Sequence, residues 1–533
     1  MTSLSPDWLH QWRWLVALLL LGLAGCAYKD AAVGWSLTPP PPFSESGEVP
    51  VPDRWWTAFD DSDLNRQVDC ALDGNYTLAA ALQRLQAARA LTRREASDLL
   101  PDVNFFKEAA GTIRSNGPET NRFELGLDAA YEVDLWGRIE SRVEAERLRA
   151  SATEADYQAV ALVLTAEIAR TWYALIEARA QMTLLQQQLT TNVTGVKLQE
   201  AGFGGAGREE VNPADVLRQR QLVESTREQM VIVQARVDPL GHQLAVLQGQ
   251  PPQGVRFETG VELPNLPPLP ATGLPSELLH RRPDVQRDFL ALSAADNDLA
   301  SAVSAQYPRF NLTGSLSTVA ENPENLFRDW VLTALAQIIA PLFDGGQRAA
   351  EVDRNAAVLR ELIAQYGQTV LIAYREVEDA LALEEQQRKR IENLKKQLVF
   401  AQQASEILRQ QYFFEEDADY LDVLTSITQE QQLQRDILSA RLDLTLTRIN
   451  LYLALAGSFD TYPPIFLDDC PPIIAESPRS DESAILTPVA AGADFGDRML
   501  MHSRRDSSGD RGDQSDRADR TADRSDPEIG GAR

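Results

Sequence analysis

The chain has 533 residues, with 51 lysines and arginines against 78 aspartates and glutamates, a formal net charge of −27, three cysteines and four histidines. So acidic a chain lacks the basic patches that a phosphate backbone requires, which excludes a nucleic-acid partner. Cys26, Cys70 and Cys470, with His10, His242, His280 and His502, are too few and too scattered for a Cys/His metal centre, and no metal or cofactor is expected.

Taken in chain order, residues 14–24 (WLVALLLLGLA) form an apolar core of signal-peptide length that closes on Leu23-Ala24-Gly25-Cys26. This ending resembles a bacterial lipobox. It implies removal of residues 1–25 as a signal peptide, lipid (palmitate included) on Cys26, and a lipid-anchored N-terminal segment over residues 26–59. Ala27, in the position after the cysteine, points by the same resemblance to the outer membrane. After the signal, no apolar stretch reads as a transmembrane helix, so any membrane-spanning part must be β. Asp61-Ser62-Asp63-Leu64-Asn65 opens like a calcium loop, but Arg66 stands where the loop needs glycine and Leu72 where it needs a bidentate glutamate.

Two strand signals follow, each with period two. In RFELGLDAAYEVD, Phe123, Leu125, Leu127, Ala129, Tyr131 and Val133 are apolar while Glu124, Asp128, Glu132 and Asp134 are polar. In RFNLTGSLSTV, Phe310, Leu312 and Leu316 alternate with Asn311, Thr313, Ser315 and Ser317. One apolar and one polar face over about ten residues is the pattern of a membrane barrel strand. Their partners, residues 103–113 and 330–343, alternate less cleanly. Behind the first strand pair comes a long helical stripe through Leu164, Ile168, Trp172, Leu175, Met182, Leu185 and Leu189. Leu438, Leu442, Leu446, Ile449 and Leu453 repeat the stripe late in the chain. Gly202, Gly204 and Gly207 satisfy G-x-G-x-x-G, but a helix rather than a strand precedes them, which argues against nucleotide binding.

The chain also repeats itself. Asp134 and Arg138 recur 210 positions on as Asp344 and Arg348, Pro101 recurs at 308 and Asp215 at 422 (207 on), and Gly249 at 457 (208 on). Four landmarks in order indicate a duplicated unit. We assign residues 60–256 to a first repeat, 257–275 to a Pro-rich linker, 276–458 to a second repeat, and 459–533 to a continuation with a charged tail rich in Arg, Asp, Ser and Gly. Two hairpins supply only four strands, and an open four-stranded sheet has bare edges that lipid does not tolerate. If the strands span a membrane, several chains must share one barrel.

YEVDLWGR, LLHRRPDV, PLFDGGQR, YREVEDAL and LYLALAG resemble the TolC-like outer membrane factor family, in particular its lipoprotein branch. The resemblance implies an α+β membrane protein: a homotrimer sharing a twelve-stranded antiparallel β-barrel, four strands per chain, continued by a long α-helical coiled-coil barrel. It implies an exit duct without enzymatic chemistry, held in outer membrane lipid and coupled through a periplasmic adaptor to an inner membrane transporter of the RND type. Asp134, Gly137 and Arg138, and Asp344, Gly345, Gly346 and Arg348, then mark the strand-to-helix junctions. Glycine there would tolerate positive φ, and Asp134 and Asp344 would pair with Arg138 and Arg348, offsetting the helix dipole. Tyr412, Glu415, Glu416, Asp417, Asp419 and Asp422 fall where the family's tunnel narrows, and would form an acidic gate that favours cations. Glu415 stands where the family has glycine. Cys70 and Cys470 both fall near the family's equatorial belt, where an oxidising periplasm would permit a disulfide. A type I protein secretion duct shares this fold. From a different class, a coiled-coil spacer lipoprotein would explain the helices and Cys26, but not the alternating strands.

Overall fold

The computed structural model describes residues 40–113, 115–117, 120–203, 212–412 and 418–461. After a 3₁₀ turn, Trp55–Phe59, come α1 (Ser62–Gly74), α2 (Tyr76–Ser97), β1 (Asp102–Thr112), β2 (Thr120–Val133), α3 (Arg138–Phe203) and α4 (Pro213–Leu247). A short α5 (Pro275–Arg281) leads to α6 (Pro283–Ser304), β3 (Arg309–Ala320), β4 (Val331–Ile339), α7 (Gln347–Gln410) and α8 (Tyr420–Leu455). The order helix, hairpin, long helix, long helix occurs twice, as the repeated landmarks predict. At 66 residues, α3 is roughly 100 Å long.

Local chemistry sets these boundaries. Asp61 is not a calcium ligand but a helix cap: its carboxylate accepts from the Asp63 and Leu64 amides at 3.0 and 2.9 Å. Asn75 does the same for α2 through Leu78 N, and its amide donates to Leu247 O at 2.8 Å, tying α2 to the end of α4. There Gly249 (φ 73°) passes so close to Gly74 that a Cβ would lie 2.0 Å from its carbonyl oxygen.

The core gathers where the helices of both repeats meet. Trp55 and Trp56 are fully buried. Trp55 stacks on Tyr452 and donates to Thr165 Oγ1 at 3.0 Å, and Trp172 donates to Asp61 at 3.1 Å. The linker is held by Arg448, itself fully buried. Its guanidinium forks onto Glu384 and donates to the carbonyls of Pro267 and Pro268 at 2.7 and 2.9 Å. One stretch of α3 is long and apolar enough to cross a membrane, with a mean hydropathy of 1.5, which sequence reading passed over. Two thirds of it (67%) is buried against other helices, so it is core.

Candidate functional site

The four strands form one antiparallel sheet in the order β1-β2-β3-β4, leaving an outer edge on β1 and another on β4. The register sorts the side chains. Val103, Phe105, Leu127, Ala129, Leu312, Leu316, Ala336 and Ile338 share one face, and Asn104, Asp128, Glu132, Asn311, Ser315 and Gln337 share the other. The apolar face is bare: Phe105, Val103, Ile338 and Leu332 are 61–68% exposed. An apolar sheet face of that size, with polar residues opposite, suits lipid on one side and water on the other. At the base of the polar face a cavity of about 710 Å³ is lined by Asp98, Asp102, Glu132, Arg138, Arg142, Asn311 and Gln337.

Both strand-to-helix junctions adopt the backbone the sequence predicts, with φ of 70° at Gly137, 65° at Gly345 and 90° at Gly346. Arg348 meets Asp344 as expected, side chain to carboxylate at 2.9 Å, with its amide also donating to that group. Arg138 does not follow suit. Its guanidinium pairs with Glu132 at 2.9 Å, while Asp134 accepts from the Arg138 and Glu140 amides at 2.7 and 2.8 Å. The physical reason is a competing carboxylate: Glu132, at the end of β2, takes the Arg138 guanidinium and leaves Asp134 to cap α3, whereas the position 210 residues on is Leu342, so Arg348 has only the capping Asp344 to meet. The first junction is also clamped from outside, because Trp136 stacks on Tyr307 and donates to Pro308 O at 2.8 Å.

At the far end of the long helices, Tyr412 donates to Gln199 Oε1 at 3.4 Å, and its ring leans on Tyr420 with centroids 5.2 Å apart. Asp419 caps α8 through Leu421 N at 3.1 Å, and Asp422 is exposed in the first turn of the helix. Glu415, Glu416 and Asp417 lie outside the described residues, as do Cys26, Cys470, Gly204 and Gly207. Cys70 is buried in α1. Sequence reasoning missed Tyr420, which donates to Gln219 Oε1 at 2.7 Å and whose phenol is pushed up to about 12 by burial. The only available signal was that Gln219 lies one helical turn beyond Asp215, the repeat counterpart of Asp422. Above this point α3 and α8 meet through amides: Asn192 on Gln431, and Gln188 on Gln434 and the Gln431 carbonyl, at 2.9–3.2 Å.

Comparison with known proteins places these features. The family model described as outer membrane efflux protein matches twice, over residues 68–250 and 274–457. The chain is 28% identical over 466 residues to the pyoverdine export outer membrane protein OpmQ of Pseudomonas aeruginosa, covering 84% of this chain and 96% of that one. It is 27% identical to the cation efflux system protein CusC of Escherichia coli, covering 82% and 97%. Among solved structures it matches CusC at TM-score 0.74 and 25% identity (80% and 99% covered). It matches the outer-membrane channel OprN at 0.72 and 27% identity (79% and 98% covered).

Proposed function

The chain belongs to the outer membrane efflux protein family and is the outer membrane channel of a tripartite efflux system, and from that premise we propose how it is anchored, coupled and gated. Three chains pool four strands each into a twelve-stranded barrel that the long helices continue into the periplasm. The observation that carries this reading is the sheet itself, with a bare apolar face, a polar face and two unpaired edges, passing directly into helices of 66 and 64 residues. Such a sheet cannot sit in lipid alone, because each unpaired backbone group there costs several kcal/mol. A periplasmic adaptor and an inner membrane pump supply the coupling, and in our reading the pump is of the RND type. Lipid on Cys26 fixes the N-terminus to the membrane.

Conduction is passive. The polar face lines the barrel, and the tip formed by Tyr412, Asp419, Tyr420 and Asp422 controls entry, opening when the adaptor docks. Glu415, Glu416 and Asp417, between Tyr412 and Asp419 in the sequence, bring three further negative charges. We test this by single-channel recording of the detergent-extracted protein in a planar bilayer, with its mass measured beforehand. Trimers with discrete, mostly small openings are expected, together with altered conductance or divalent block in Asp422→Ala. Trimers that insert but are indifferent to Asp422→Ala would remove the gate assignment and leave the duct. A well-folded protein that is neither trimeric nor conducting would remove both.

A further inference from the structure

The apolar face of the sheet carries a single charge. Among the paired residues of the four strands, Lys107 is the only charged side chain on that face, where the register sets it against Leu125 of β2. Its side chain is exposed. An ammonium on a lipid-facing strand is costly at the middle of a bilayer and tolerated at its boundary. Nine residue steps lead from Leu125 down to Asp134, the first residue of the charged junction. That is about 30 Å along a strand and about 21–25 Å in height at the tilt of a barrel strand, which matches the height of an apolar band. Lys107 therefore stands at the outer boundary of the band, where the headgroups of the outer leaflet begin. The neighbouring rows agree. Directly below, Phe105, Leu127, Leu316 and Leu332 make an unbroken apolar row, while Thr318 joins the row of Lys107 and Asn121 stands above it.

What surrounds the lysine fits a headgroup. Beyond it on the same face come Ala109 and Gly111, with Ala320 two strands over, all of them small. A Cβ on Gly111 would meet only Asn121 Oδ1, at 3.4 Å, so a notch lies open above the ammonium with an amide at its edge. To one side, Thr318 Oγ1 donates to Leu326 O, which holds the β3–β4 loop against this face. The loop brings Phe327 and Trp330, 83% and 70% exposed, to the same boundary, the level at which aromatic rings meet headgroups. We propose that Lys107 and the notch above it form a docking site for a phosphorylated lipid of the outer leaflet. The ammonium takes a headgroup phosphate, and the apolar row beneath takes an acyl chain. This rests on the barrel reading above, with the apolar face toward lipid. The rim is no general anion trap, because Glu321, Glu324 and Asp329 of the β3–β4 loop stand against Arg328 alone. The phosphate is thus held by Lys107 and not by the overall charge of that end of the sheet.

The test measures the native mass of the full-length, detergent-purified protein with and without added probe. The probes are diphosphoryl lipid A, the same lipid stripped of its phosphates, and inorganic phosphate. Diphosphoryl lipid A should stay bound, one copy per chain. Lys107→Gln and Lys107→Leu should each weaken it about fivefold, the effect of one cation at a lipid surface, and Lys107→Arg should retain it. The stripped lipid should bind more weakly and be indifferent to all three substitutions. Arg122→Gln removes a cation from the polar face of the adjacent strand and should leave lipid binding unchanged. Equal binding of diphosphoryl lipid A by the unsubstituted chain and by Lys107→Gln overturns the site, and so does an equal loss in Arg122→Gln. Displacement of the lipid by millimolar inorganic phosphate also overturns it, by making it a site for the free anion. A folded, unsubstituted chain that is not trimeric overturns the barrel reading instead.

Discussion

At the scale of single residues, the tip and the junctions make separate demands. Tyr420→Phe removes the hydroxyl that satisfies Gln219 Oε1 and leaves that oxygen buried without its donor, a loss of about 1–3 kcal/mol. We expect longer or more frequent openings in single-channel records, with an unchanged melting temperature of the barrel. The pH dependence has a definite sign. An acid whose folded pKa stands at about 12 rather than 10 favours the folded state below pH 10 and loses that contribution as pH rises from 10 through 12. Opening frequency should be flat to that group from neutral pH to 10 and rise above it, and Tyr420→Phe should lack the rise. At the junction, Asp134→Ala takes the acceptor from two first-turn amides and should lower stability by about 1–2 kcal/mol, read as a lower melting temperature. Asp134, Asp344 and the glycines were legible because a strand pattern stops there and a helix pattern begins. Tyr420 was not, because its partner lies 201 positions away and nothing in either local pattern joins them.

At the scale of elements, alternation with period two marked β2 and β3 well, since one face meets apolar surroundings and the other polar. β1 and β4 were harder because Lys107 interrupts the apolar face of β1, and Leu335 and Val331 the polar face of β4. The long helices were legible from their stripes, yet what packs them is partly polar. Glu384 and Arg448 form a pair almost devoid of exposure, and the fork also carries the two proline carbonyls of the linker. Removing one member strands a buried charge, at a cost of about 3–5 kcal/mol. Glu384→Ala should therefore destabilise the trimer markedly against heat, whereas Glu384→Leu combined with Arg448→Met should recover much of the loss. No sequence pattern announces that pair, because its members lie 64 positions apart on different helices.

At the scale of the whole molecule, a channel lined by the polar face of the sheet, as proposed, should be selective by charge. Asp102, Glu108, Glu124, Asp128 and Glu132 project to that side against Arg122 and Arg309. Threefold repetition concentrates the negative potential in one passage. Reversal potentials under a potassium chloride gradient should show cation preference, and Glu124→Gln with Asp128→Asn should reduce it without changing the trimer's mass. Net charge gave a hint of this, but only the register told which carboxylates share a face.

The repeat has a further consequence for how such a ring moves. Three chains of two repeats make six near-equivalent staves, so the closed wall approaches sixfold symmetry. The staves are not joined alike, however. Every second joint is bridged by the Pro-rich linker and sealed by amides such as Asn192 on Gln431, while the joints between carry no covalent tie. On the trimeric reading, dilation of the ring should therefore be threefold, the staves parting in pairs and the aperture widening as a triangle rather than as a hexagon.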